Sequence, residues 1–435
     1  MKEKITIVYI ILLVIISLNF FDATFLNPTL VNYLDFIAVM GTVLVSARYM
    51  FDRKGGLVLP VQIIALSIVF SMVMAYYSWG QGFKDSMVET YQYMLWFLFF
   101  LLLHLKTPIR SIEKIILAYG LLYAVLYFFQ YLNAHTVFFG KPISGEEFTE
   151  ERGAIRIIFP GAGIFILSVF IAITKLSTND RNKWWYLGLA TLGLVIPVMQ
   201  VTRQFIVGVL LIYFYHFVRN QTILKKALIL GSFAAGMILL ANSDIPMVRG
   251  VVEAQQRDAK LGKDYIRVKA GEYFLTDFSP NTLSQIFGNG SPNWGISNYG
   301  KFIERLSNTH EYFISDVGII AVYTMFGIFA VVGFISLWYK SFVLTIPRQY
   351  AYTKYYLWYL LITSFTSSSV YHYHYIIATV FALYIFHRSF MENKKWTFIS
   401  KLLDSLPSKS DRFKTKNFTQ EKIYFQSKSH DHSLS

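Results

Sequence analysis

The sequence predicts an all-α, polytopic membrane bundle of about twelve transmembrane helices with one long loop outside the membrane. Three observations lead there. Of 435 residues, 54% are hydrophobic and 18% aromatic, and the mean hydropathy is +0.44, too apolar for a soluble chain of this length. Apolar runs of about 20 residues, enough to cross hydrocarbon, recur along the chain. Lys and Arg gather at every second connection, as the positive-inside rule requires of an even-numbered bundle with both termini cytoplasmic.

The spans in order are 5–21, 30–47, 57–77, 86–105, 113–132, 156–174, 184–200, 203–218, 226–242, 312–338, 355–369 and 372–387. The first resembles a secretory signal, because Lys2 and Lys4 precede an apolar stretch. It lacks a small-x-small cleavage site and the alternation needs it, so it reads as an uncleaved anchor. The pairs 184–200/203–218 and 355–369/372–387 are separated by so little chain that each could be one kinked element or a re-entrant pair. Basic clusters mark the cytoplasmic connections: Arg48/Arg53/Lys54, Lys106/Arg110/Lys114, Lys175/Arg181/Lys183, Arg219/Lys225/Lys226, Lys340/Arg348/Lys354 and Arg388/Lys394/Lys395. They account for the net charge of +14, so nucleic acid is not an expected partner. The absence of cysteine excludes disulfides, thiolate catalysis and Cys-based metal sites.

The chain therefore divides into a first bundle portion (1–242), a long loop (243–310), a second bundle portion (311–388) and a polar tail (389–435). The tail is Lys- and Ser-rich and reads as a disordered cytoplasmic extension. The loop is far longer than a connection needs. Its pattern predicts helices near 247–260 and 264–276, then the turn-rich Gly288-Asn289-Gly290-Ser291-Pro292 and a polar stretch reaching His310. A second outward segment, 133–155, carries an acidic stretch from Glu146 to Glu151. No internal repeat is visible.

Polar groups within or beside the spans carry the functional signal. Asp35, Glu89, Arg156, Arg203, Asp316, His372 and His374 all fall at the face that bears the long loop. A charge near hydrocarbon costs several kcal/mol unless it lines a protein cavity, so a set at one depth predicts a polar site. Arg203, in a short turn between apolar runs, suits an anionic ligand because guanidinium forks onto phosphate. Its alternative is snorkelling to lipid phosphates. Arg156 opens a span in which Pro160 and Gly161 can admit a ligand to the backbone, or it is an interfacial anchor. Arg267 lies on the predicted loop helix, where a solvated face is the plainer alternative.

His310 and Glu311 sit where the long loop re-enters the membrane, and either could take a proton from a hydroxyl nucleophile. Asp316, further in, would orient His310 or pair with an arginine. Ile314 occupies the second His position of a zincin motif, so that zinc site is absent, and no Asp-x-Asp sequence occurs. No metal is expected. His372 and His374 would line the cavity or pack in an aromatic belt. Asp35 and Glu89 are expected to pair with the arginines.

Three local patterns resemble the O-antigen ligase/polymerase family, whose members handle undecaprenyl-linked glycans. They are Thr202-Arg203-Gln204-Phe205-Ile206-Val207-Gly208, Arg267 with Phe274 and Phe287-Gly288-Asn289-Gly290, and His310-Glu311-Tyr312-Phe313 with Gly318 and Gly327. They cover roughly 184–340. Gln204 departs from the small residue usual there, and Glu311 from the common amide.

The resemblance implies a GT-C-like helical fold and metal-independent, cofactor-free inverting glycosyl transfer from a polyprenyl-diphosphate saccharide. It implies a bacterial inner-membrane polymerase of O-antigen, capsular or exopolysaccharide, with a periplasm-facing site. Arg203, Arg267 and Arg156 would hold the diphosphate, and His310 or Glu311 would act as base. The implied partners are lipid-linked donor and acceptor, the bilayer, a chain-length regulator and a flippase. A ligase delivering the glycan to lipid A core or another acceptor is the close alternative. A transporter or flippase of such glycans is the rival from another class.

Overall fold

In hydrocarbon there is no water to bond the backbone, and an α-helix satisfies its interior N–H and C=O groups within one segment. A computed structural model describes residues 2–52, 54–142, 147–148, 150–151, 154–178, 183–219, 221–228, 230–231, 249, 255–256 and 260–404. Its helices are α1 (Lys2–Ser17), α2 (Pro28–Ser46), α3 (Val58–Trp79), α4 (Phe83–Thr90), α5 (Leu98–Leu105), α6 (Ile109–Leu132), α7 (Ala162–Leu176) and α8 (Lys183–Met199). They continue with α9 (Arg203–Val218), α10 (Ile266–Thr276), α11 (Thr282–Phe287), α12 (Asn298–His310), α13 (Ile319–Val343), α14 (Ala351–Thr363) and α15 (Tyr373–Asp404). A two-residue antiparallel ladder joins β1 (Glu150–Glu151) to β2 (Ala154–Ile155).

The protein is thus mostly helical. Pro28–Tyr49, Val58–Trp79, Phe83–Leu105, Ile109–Leu132 and Ile319–Val343 are long and apolar enough to cross a membrane, and α7, α8 and α9 are shorter apolar helices. A helix overlaps every predicted span; of 226–242 only 226–228 and 230–231 are described, and they are helical, while most of the predicted loop helix 247–260 lies outside the described residues. The 264–276 prediction corresponds to α10, which begins at Ile266 behind a 3-10 turn over Gly262–Asp264.

Some expectations need correction. The segment after residue 388 is not all extension, because α15 runs unbroken to Asp404. Arg156 does not open a helix; Pro160 and Gly161 delay the start of α7 to Ala162, leaving 156–159 without regular structure. The polar stretch before His310 is helix α12. It is capped by Ser297 Oγ, which accepts from Gly300 N at 2.9 Å, and it buries Tyr299, Ile303 and Leu306 along one stripe.

Two helices form the centre. Gly163–Thr174 of α7 and Tyr375–His387 of α15 are buried on every side, as uniformly apolar helices should be. Basic residues gather at their far ends and at the adjoining end of α13. Arg388 Nη1 donates to the carbonyl of Lys106 at 2.9 Å, Lys340 Nζ to that of Gly56 at 2.6 Å, and Lys175 pairs with the buried Glu113 at 3.5 Å. Leu57 N donates to His387 Nδ1 at 3.2 Å, which ties these ends together. The opposite ends of α7 and α15, at Ala162 and Tyr373, border the candidate site.

Part of the long loop is not peripheral. Residues Gly288–Asn293 are buried and wedge between α3 and α13. There α13 is broken at Gly327 (φ 79°, ψ −179°), and Gly288 opposite adopts φ 86°, ψ 173°. Only glycine takes this conformation without strain. A Cβ on either would overlap the backbone of the other segment. The break frees carbonyls that the loop then satisfies: Asn289 N donates to Thr324 O at 2.9 Å and Gly290 N to Met325 O at 2.8 Å. Irregular backbone between apolar helices is tolerated where protein satisfies it in this way.

Two buried glutamines do similar work at helix ends. Gln81 Oε1 accepts from Asn293 N and Ser297 Oγ while its Nε2 donates to Ser291 O and Ser86 Oγ, all within 3.1 Å. Gln130 bonds Asn133, Thr136, Phe138 and Phe139 backbone, all within 3.0 Å.

Candidate functional site

The turn Gln200–Thr202 sets the first arginine. Val201 adopts φ +52°, a strained conformation for a β-branched residue that costs about 1–3 kcal/mol. The reversal separates α8 from α9, so the ambiguous pair is two helices, and α9 begins with Arg203 in its first turn. Arg203 Nη1 donates to Gln255 Oε1 at 2.9 Å. The next residue, Gln204, donates from Nε2 to the carbonyl of Thr366 at 3.0 Å.

The second arginine comes from the long loop. Arg267 stands in the first turn of α10; its Nε meets Asp316 Oδ2 at 3.2 Å, and its Nη1 donates to Thr366 O at 3.4 Å. Asp316 ends a 3-10 turn over Ile314–Asp316, so of its two expected roles it takes the pairing with arginine. Gly318 follows with φ 55°, ψ −119°, and a Cβ there would overlap the Ser364 carbonyl. That carbonyl accepts from Ile319 N at 2.6 Å, which clamps the start of α13 to the end of α14.

Two cavities adjoin at this point. One, about 400 Å³, is lined by Arg203, Gln204, Gln255, Tyr265, Arg267 and Thr366, with Val207 and Ile362. The other, about 290 Å³, is lined by Arg156, Arg267, Asp316, His372 and His374, by Ser367–Ser369 and by Gln200 and Gln204, over an aromatic floor of Phe159, Phe205 and Tyr375. Arg267, Gln204 and Thr366 belong to both. Gly161 (φ +115°) brings the 156–160 strip close, and a Cβ there would lie 2.9 Å from the rings of Phe21 and Tyr123.

The structure therefore gathers Arg156, Arg203, Arg267, Asp316, His372 and His374 around linked space. It does not gather the rest. His310 and Glu311 are exposed and line neither cavity; His310 ends α12 with its ring 5.5 Å from that of Tyr312, and Glu311 caps the helix at φ +57°. Exposed and outside both linings, neither is placed as a base beside the arginines. Asp35 is buried, but its Oδ2 accepts from Tyr91 and Gln92 at 3.1 and 2.9 Å rather than from an arginine. Glu89 is half-buried on α4, and no ion pair among the described residues joins it to an arginine.

Sequence reasoning missed Gln200, Gln255, Tyr265 and Thr366 as lining residues, and it treated Gln204 only as a departure from a motif. Gln204 had a signal: a polar amide beside Arg203 in an otherwise apolar run. Gln255 and Thr366 had none, since a polar loop residue and a threonine near the end of a predicted span are both ordinary.

Chemically, the site offers guanidinium forks to an anion, hydroxyls and amides to a polyol, and an aromatic floor to a sugar face. Among the described residues no group of three His, Asp or Glu side chains is placed to hold a metal ion. No protein-family model matches the chain, and no curated protein matches it significantly.

Proposed function

We propose that this protein is a membrane glycosyltransferase of the polymerase type, joining saccharide units carried on undecaprenyl diphosphate. The carrying observation is that Arg156, Arg203 and Arg267 line two cavities sharing Arg267. A sugar-diphosphate bond breaks with negative charge building on the diphosphate. Preorganised guanidinium groups stabilise that charge best where water is scarce. The isoprenoid tail would lie among the apolar helices, while the saccharide meets Ser367–Ser369 and the aromatic floor.

The local motifs around Arg203, Arg267 and Gly288-Asn289-Gly290 support the same reading. So does the separation between the basic helix ends and the cavities, which suits a site facing the periplasm with both termini in the cytoplasm. A GT-C-like arrangement of about twelve spans accompanies this proposal.

Purified protein reconstituted with lipid-linked repeat units should lengthen glycans. Arg203→Ala and Arg267→Ala should each lower the rate by about 10²-fold or more, as removal of one preorganised transition-state donor does elsewhere. Movement of the lipid-linked units across the bilayer without bond formation would make the protein a carrier. Transfer only to lipid A core would make it a ligase.

A further inference from the structure

An inverting transfer needs a group to take the acceptor's proton, and the exposed His310 and Glu311 do not line the cavities. Among the described residues lining the two cavities, Asp316 is the sole carboxylate. Two imidazoles stand near it. His372 Nδ1 accepts the backbone N–H of His374 at 3.4 Å, so in the neutral ring the proton sits on Nε2 and that nitrogen donates. His374 Nε2 is buried, with no hydrogen-bond partner among the described residues. Asp316 is different. Its side chain is 37% exposed, and its ionic partner, Arg267, engages Oδ2 alone.

We propose that Asp316 is the general base of the transfer, an inference that rests on the transferase reading above. The acceptor hydroxyl gives its proton to Oδ1 of Asp316 as its oxygen bonds to the anomeric carbon of the donor. The bond from that carbon to the diphosphate oxygen breaks, and its electron pair leaves with the diphosphate. Arg267 stands between the two events. As Asp316 loses its negative charge the Arg267 pair weakens, and the guanidinium is released toward the diphosphate at the moment that group gains charge. Arg203 and Arg156 flank Arg267 along the two cavities and take the remaining charge.

The test uses full-length protein in liposomes with lipid-linked repeats, comparing wild type, Asp316→Asn, Asp316→Ala and His310→Ala. Asp316→Asn keeps the shape of the side chain and should lower glycan extension by about 10²–10⁴-fold while donor binding persists. Added formate, a small carboxylate able to occupy the vacated space, should restore part of the Asp316→Ala rate. A merely positioning role would not give that rescue. Asp316→Asn within tenfold of wild type would overturn the assignment, and so would loss without formate rescue or collapse of the rate in His310→Ala alone. If wild type itself makes no glycosidic bond, the transferase reading fails and this assignment with it; an active wild type with an indifferent Asp316 removes only the base.

Discussion

Arg267 makes two contacts that pull in different directions, one to the Asp316 carboxylate and one to the Thr366 carbonyl. Its planar fork can hold both while presenting further N–H groups to a ligand, which a lysine ammonium cannot do. Arg267→Lys should therefore keep the positive charge yet weaken donor binding by about tenfold, close to 1.4 kcal/mol. Equilibrium binding of the lipid-linked donor measures this, and affinity equal to wild type would show that charge alone suffices. Because the bridge to Asp316 is partly exposed, removing it should change fold stability by less than about 1 kcal/mol. A variant at either position therefore reports mainly on the site. At this scale the sequence was informative about the arginines and Asp316, since a charge beside apolar runs is conspicuous. It did not show that His310 is exposed and lines neither cavity. Adjacency in sequence placed His310 near Asp316, but α12 ends between them and Glu311 turns the chain at φ +57°, so one residue faces solvent while the other lines the cavity.

The elements that position the site depend on a few backbone conformations. Gly288 and Gly327 both occupy a region reserved for glycine, and each lies against the other's backbone. Gly288→Ala should destabilise the fold by about 1–3 kcal/mol from backbone strain alone, with the overlap adding to it. Gly41→Ala in α2 is the matched control, because a Cβ there meets nothing within 4 Å, and alanine should be neutral or up to about 1 kcal/mol better in a helix. Thermal unfolding of the purified protein in detergent separates the two. Equal melting temperatures would mean that the loop wedge does not support the bundle. The sequence flagged Gly288 as a turn former and Gly327 only as part of a motif, and nothing in it paired them. That pairing joins residues 39 apart through a broken helix, and periodicity is blind to such contacts. The helix α12 was missed for another reason. Its apolar stripe is thin and its other residues are polar, so amphipathic spacing hid within what looked like loop.

Across the whole molecule, the basic residues and the cavities occupy opposite ends of α7 and α15. The chain has no cysteine, so single cysteines can be introduced without removing any background thiol. A cysteine at Thr136, just beyond α6 at the cavity end, should react with an impermeant maleimide on intact cells. One at Asn393, in the basic half of α15, should react only after permeabilisation. Labelling of both from the same side would refute the orientation. Helix placement was the most legible level of the sequence, because each apolar run needs about 20 residues to cross hydrocarbon and leaves little freedom in where helices form. The continuation of α15 to Asp404 was not legible, since the Lys- and Ser-rich composition of the chain after residue 388 reads as a solvated tail.

The break at Gly327 has a consequence for biogenesis. While the 288–290 segment is undocked, a broken α13 would leave the Thr324 and Met325 carbonyls facing lipid, at several kcal/mol each. A straight helix would avoid that cost until its partner arrives. Docking of 288–290 would then follow insertion of α13.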